Sequence, residues 1–231
     1  MVAVSIGGKP RIVLLGKQGA GKGTQATLLA RHYDIEHLST GDLFRGQATA
    51  GTAFGLEAKR YMDAGELVPD DIVMGVVEEC LAEGGPMSDG FILDGFPRTH
   101  PQAVDLDRVL DGRPLDVVVH IDVSRDIVIE RLSQRRVCEQ DGSHIYSVTN
   151  PPKVNWTCDV CGGEVIQRED DTEGAIRRRL ELYERETAPL IAWYSSRGAL
   201  MPVEGMGSPD EVTARLVKLV DESRTGTRRL D

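Results

Sequence analysis

Arg11-Ile-Val-Leu-Leu15 runs without a spacer into Gly16-Lys-Gln-Gly-Ala-Gly21-Lys22-Gly-Thr24. An unbroken apolar run of this length reads as a strand buried on both faces. The loop fits G-x4-G-K, with Gly23 where Ser or Thr is common. Its glycines let backbone N–H groups converge on phosphate oxygens. A helix over about 22–32 adds its positive end, and Lys22 adds a full charge. Strand, loop and helix in this order predict a phosphate cradle rather than a glycine-rich turn that binds nothing.

Outward from the cradle, apolar runs alternate with helical periodicity, the pattern of an α/β protein with a parallel sheet. Ile72, Val73, Val76, Val77 and Leu81 recur at helical spacing after Pro69-Asp70. Phe91-Ile-Leu-Asp94 and Val117-Val-Val-His-Ile-Asp-Val123 read as strands. Ser124 is placed to cap a helix carrying Ile127, Val128 and Leu132, and Arg131 and Arg135 stand at i, i+4 on it. Leu200–Val203 reads as a last strand, with a closing helix after Ser208-Pro209. From about Gln134 to Asp171 the periodicity stops, and Gly, Pro, Asn and three cysteines gather; so long a stretch inside a compact domain reads as a functional loop or small subdomain. The tail from Ser223 to Arg229 is expected to fray. No internal repeat is visible.

Composition narrows the function. The 231 residues carry 27 Lys+Arg against 37 Asp+Glu, a formal charge of −10, and 40% are hydrophobic. A largely disordered chain is excluded. The acidic balance argues against wholesale nucleic-acid binding, which leaves a basic footprint. No apolar run approaches the roughly 20 residues of a membrane span. The first residues lack a basic segment followed by an apolar one, so a cytoplasmic location is expected.

Gly19-Ala-Gly-Lys-Gly-Thr-Gln25, Ser39-Thr-Gly-Asp42, Asp94-Gly-Phe-Pro-Arg-Thr99 and Asp170-Asp171 follow one another in an order and at separations that resemble the adenylate kinases, the family interconverting ATP + AMP and two ADP. The resemblance covers all but the first ten residues and the tail. Lys17-Gln18 departs from the small residue and Pro often found there. The resemblance implies a three-layer P-loop fold with a central parallel sheet. Its core would be residues 1–38, 69–133 and 172–231, with an AMP-binding helical insertion over 39–68 and a lid over 134–171. It implies a monomer acting on ATP, AMP and ADP, with Mg2+ accompanying ATP and neither nucleic acid nor membrane as partner.

Residue by residue, the resemblance gives ATP the loop Gly19, Ala20, Gly21, Lys22, Gly23 and Thr24, with Arg131 against the adenine, Arg135, and more weakly His144, Ile145 and Gly207. It gives AMP Thr40, Arg45, Glu66, Leu67, Val68, Gly95, Phe96, Pro97, Arg98 and Gln102, together with Arg168 and Arg179. Lys22, Arg98, Arg135, Arg168 and Arg179 would surround the transferring group, and Asp94 would orient Mg2+ through water. Chemistry supports a cationic site without a base. Phosphoryl transfer needs positioning and charge neutralisation, and the AMP phosphate, with a second pKa near ~6, is already largely ionised at neutral pH. Of Arg177, Arg178 and Arg179, only the resemblance selects the last, because Glu173 and Glu181 are spaced to pair with Arg177 on an exposed face.

Cys138-Glu-Gln-Asp141-Gly142 and Cys158-Asp-Val-Cys161-Gly162 share one form, two ligand types two residues apart with glycine after them. Two such turns can surround a structural Zn2+ tetrahedrally. The parallel favours Asp141 as fourth ligand beside Cys138, Cys158 and Cys161, with His144 the alternative. Cys80, alone in an amphipathic helix, reads as a small apolar residue. A lid of this kind would exclude water from the transfer. The rivals are a kinase with UMP, CMP or GTP among its substrates, a nucleotide-binding regulator without catalysis, and a zinc-ribbon nucleic-acid binder.

Overall fold

A computed structural model describes residues 8–225. Five parallel strands, β1 (Arg11–Leu15), β2 (Glu36–Ser39), β3 (Phe91–Asp94), β4 (Val117–Asp122) and β8 (Leu200–Glu204), form one sheet in the order β2-β3-β1-β4-β8. Ile12, Val13, Leu14 and Leu15 are at most 2% exposed, because helices cover both faces. Side chains of a strand alternate, and here they divide between two cores. Val13 and Leu15 join Phe91 and Leu93 under α4 (Asp70–Leu81), α5 (His100–Val109) and α8 (Pro189–Ser196). Ile12 and Leu14 join Ile92, Val119 and Ile121 under α1 (Lys22–Tyr33), α6 (Arg125–Gln134), α7 (Glu173–Leu182) and α9 (Pro209–Arg224). Each fully buried aliphatic side chain contributes about 1.5–3 kcal/mol, so a strand with apolar residues on both faces holds two layers at once.

The register sets the site. Leu14 and Ser39 both stand beside Asp94, and Leu15 beside His120. The phosphate loop, the end of β2 and the end of β3 therefore emerge side by side. They do so where the chain turns from one half of the sheet to the other, the place where open α/β sheets bind ligands.

Between β2 and β3 the chain first makes α2 (Thr40–Thr49) and α3 (Ala53–Ala64). Ser39 caps α2 by accepting from the Asp42 N–H, and Thr52 caps α3 from Gly55. A second, antiparallel sheet in the order β6-β5-β7 is built from β5 (Arg135–Cys138), β6 (Ile145–Ser147) and β7 (Val165–Ile166). It occupies the stretch where the sequence loses helical periodicity.

Three local expectations need correction. Ser124 precedes α6 but its hydroxyl makes no cap hydrogen bond. Arg131 and Arg135 do not share a helix: α6 stops at Gln134, and Arg135, in extended backbone, opens β5. Ser223 and Arg224 belong to α9, while residues 226–229 of the tail lie outside the described residues.

Candidate active site

A cavity of about 790 Å3 opens at the carboxyl ends of the strands, lined by Gly16 and by Gln18 through Thr24. The loop can take this shape only as glycine at its closest approaches. At Gly16, with φ +146°, a Cβ would lie 2.6 Å from the Ile121 carbonyl oxygen, and at Gly19, with φ +83°, one would lie 2.8 Å from Leu132. Helix α1 begins at Lys22 with no side-chain cap, leaving its N-terminal N–H groups for an anion. Lys22 Nζ donates to the carbonyls of Gly16 at 2.8 Å and Lys17 at 3.0 Å. Arg131 ties the loop to the next segment by donating to Ala20 O and Gly205 O.

The same cavity is lined by Arg45, Asp94, Pro97, Arg98, Arg131, Arg135, Ile145, Arg168, Arg179 and Gly207. A recess of about 30 Å3 adjoins it, lined by Thr40, Glu66, Leu67, Val68 and Gln102. Gly95 and Arg98 line both, so Arg98 stands between the two compartments. Its Nε donates to Gly95 O at 2.7 Å, and its own carbonyl accepts from Thr187 Oγ1.

Three carboxylates hold the cations. Arg135 makes a two-bond fork with Asp171 at 2.7 and 2.6 Å, and Asp171 is 1% exposed. Arg179 reaches Asp170 at 3.1 Å and Asp171 at 3.4 Å. Asp42 accepts from Arg45 at 2.5 Å and from Arg168 at 3.1 Å. Burial alone would raise the Asp42 and Asp170 pKa values, but the arginines around each pull both below the ordinary carboxylate range. Asp94 differs: it is 8% exposed, and its carboxylate makes no hydrogen bond or ion pair among the described residues. Asp42, Asp170 and Asp171 had no assigned role in the sequence reading, although their motifs were visible. Their function as partners of remote arginines depends on contacts up to 126 residues apart.

The cations disturb one another. Burial first, and then the nearby Arg98, Arg179 and Arg135, lowers the Lys22 pKa to about 8 against the opposing pull of Asp94. Burial and Arg179 likewise lower Arg98 to about 10. Gln18 Oε1, His37 Nε2 and Tyr183 Oη are buried without partners on the wall of the same cavity. Unsatisfied polar atoms and crowded cations are costly; a polyanion relieves the cations and offers the Tyr183 hydroxyl an acceptor, whereas Gln18 Oε1, itself an acceptor, needs a donor.

Several other side chains are committed to contacts within the fold. Phe96 is fully buried in the core between the sheet and α4, α5 and α8 and lines neither compartment. The Gln102 amide is committed within the protein: Nε2 donates to Asp70 at 2.6 Å and Oε1 accepts the Arg98 N–H at 2.7 Å. Arg177 pairs with Glu173 on the surface. Cys80 is half-buried and packs against the core.

His144 leaves the nucleotide cavity altogether. It joins Cys138, Cys158 and Cys161, with the four ligand atoms within 4.8 Å of one another. Its Nδ1 lies 3.4 Å from Cys158 Sγ, and Cys138 Sγ lies 3.3 Å from Cys161 Sγ. Asp141 is not in that cluster; its carboxylate faces Ser143 N–H and His144 Nε2. The geometry groups His144 rather than Asp141 with the three sulfurs, because the turn after Asp141 brings the His144 ring inward. Three sulfurs and a ring nitrogen within tetrahedral reach suit a structural zinc. The same turn faces the arginines, for Gly142 O accepts from Arg168 at 2.9 Å.

With this geometry in view, the comparisons are specific. Residues 14–199 match the family model described as adenylate kinase. Over 210 residues the chain is 52% identical to an adenylate kinase of Acidothermus cellulolyticus, covering 90% of this chain and 96% of the relative. It is 48% identical over 214 residues to one of Thermodesulfovibrio yellowstonii, covering 92% and 99%. It is 44% identical over 219 residues to one of Streptomyces griseus, covering 94% and 100%.

Proposed function

Because the chain belongs to the adenylate kinase family, its reaction is ATP + AMP to two ADP and back, and we propose that the cations converging on the cavity are what carries it. The convergence of Lys22, Arg45, Arg98, Arg135, Arg168 and Arg179 on one cavity wall is the observation that supports this reading. A site that disfavours its own positive charges when empty gains most when the negative charge inside it is greatest, and the transferring phosphoryl group supplies it.

In this reading the phosphate loop and Lys22 hold the β- and γ-phosphates of ATP, with Arg131 toward the base. The smaller recess, walled by Thr40, Glu66, Leu67, Val68 and Gln102, receives AMP, and Arg45 and Arg98 take its phosphate. An ionised oxygen of AMP attacks the γ-phosphorus in line while the bond to the ADP oxygen breaks. Arg135, Arg168 and Arg179 exchange Asp171, Asp42 and Asp170 for phosphate oxygens as the nucleotides arrive. No side chain need accept a proton, because the attacking phosphate oxygen of AMP is already largely ionised at neutral pH.

Asp94, a nearly buried carboxylate without a partner, fits the Mg2+ that accompanies ATP. That ion, held through water, would offset charge on the phosphates. Cys138, His144, Cys158 and Cys161 would hold Zn2+, which stiffens the lid and takes no part in the chemistry. Three thiols kept reduced in one cluster suit a cytoplasmic protein.

Two measurements test the reading. ADP formation should require ATP with AMP, and should fall by at least an order of magnitude with UMP or GMP as acceptor; equal rates with all three would remove the AMP assignment. The second is a pH profile. Below pH 8 free Lys22 is charged, and as pH rises through about 8 it loses its proton, so kcat/KM for ATP should decline toward tenfold per pH unit. Bound polyphosphate holds that proton on, so kcat should decline only at higher pH. A kcat/KM profile flat to pH 10 would contradict it.

A further inference from the structure

We propose that Asp141 is a positioning residue for the metal centre, fixing the ring of His144 so that Nδ1 faces the three thiolates; this rests on the zinc reading above. Once Nδ1 ligates a metal it has no proton, so the ring proton is on Nε2 and needs an acceptor. Asp141 Oδ2 lies 3.3 Å from Nε2. The other carboxylate oxygen accepts the Ser143 N–H at 2.9 Å, and the Asp141 carbonyl accepts the His144 N–H at 3.0 Å. Both residues thus sit on one tight turn, whose far side is clamped when His144 O accepts the Cys138 N–H at 3.0 Å.

With both oxygens engaged and its carboxylate outside the ligand cluster, Asp141 has the placement of an outer partner. A ligating histidine whose second nitrogen donates to a carboxylate is held in one tautomer and one orientation. A second outer contact acts on one of the thiolates. Tyr146 Oη donates to Cys158 Sγ at 3.3 Å and accepts the Asp159 N–H at 2.8 Å. Four inner ligands fill a tetrahedral site, so Asp141 has no inner position left.

The test uses the full chain and Co2+ alone as a spectroscopic stand-in for zinc. Asparagine at 141 keeps an oxygen for the Ser143 N–H and so keeps the turn. It then turns an N–H2 group toward Nε2, which cannot accept. Asp141→Asn should therefore leave the positions of the cobalt bands unchanged while weakening Co2+ binding by about 10- to 100-fold. His144→Ala should move the bands. Bands that move in Asp141→Asn but not in His144→Ala would make Asp141 the ligand and overturn the proposal. So would a Co2+ affinity within threefold of the parent's in Asp141→Asn. A parent chain that binds no Co2+ would refute the zinc reading itself, an outcome distinct from either of these.

Discussion

Replacing Lys22 by methionine should lower kcat by roughly 10^3-fold, the upper range for removing one preorganised group from a developing charge. The side chain is nearly isosteric, so loop and helix have no packing reason to move. Stability should hold or rise, because burial disfavours the charge being removed. What is lost is the one cation delivered by the phosphate loop itself. Arg98, Arg135 and Arg179 approach from other elements and cannot replace it, since each is already positioned by its own partners. Rapid-mix measurement of ADP formation, with a melting curve beside it, separates the two quantities. A folded Lys22→Met protein with kcat within tenfold of the parent's would remove the loop lysine from the machinery and weaken the whole cationic reading.

The second large effect is on stability. Asp171→Ala should cost about 3–5 kcal/mol, because it removes the carboxylate from a buried ion pair and leaves Arg135 unmatched, while Arg179 keeps only Asp170. The Asp171 side chain is 0% exposed, and the Arg135 and Arg179 side chains are 16% and 15% exposed. For a chain of this size the melting temperature should fall by roughly 6–20 °C. Polyphosphate bound to the same arginines should return much of that loss, so the rise in melting temperature on adding ATP and AMP should be larger in the variant than in the parent. A variant melting within 2 °C of the parent would mean that solvent in the cavity already satisfies both guanidinium groups. Asp170→Ala offers a milder comparison, since Arg179 would keep Asp171.

Much of the site was legible because its pieces are local. A phosphate loop is a run of nine residues, Ser39-Thr-Gly-Asp42 is a contiguous motif, and the Asp94-to-Thr99 segment begins at the end of a strand whose apolar pattern is plain. Strand β2 leaves little trace in the sequence: Glu36-His-Leu-Ser39 has one apolar residue and sits at the sheet edge. The end of α6 at Gln134 is hidden for a related reason. Periodicity favours extending α6, whereas pairing of Arg135–Cys138 with two lid strands sets the backbone extended.

The parallel sheet, the glycine-rich loop and the supply of arginines are written into the order of residues. Those follow from hydrophobic period, glycine freedom and residue type within short windows. Which acid faces which arginine, and that His144 rather than Asp141 turns toward the sulfurs, is fixed by packing alone. Both depend on the direction in which a side chain leaves the backbone. A spacing rule counts residues, but a metal or a guanidinium responds to distance and angle, and these are set only when the elements pack.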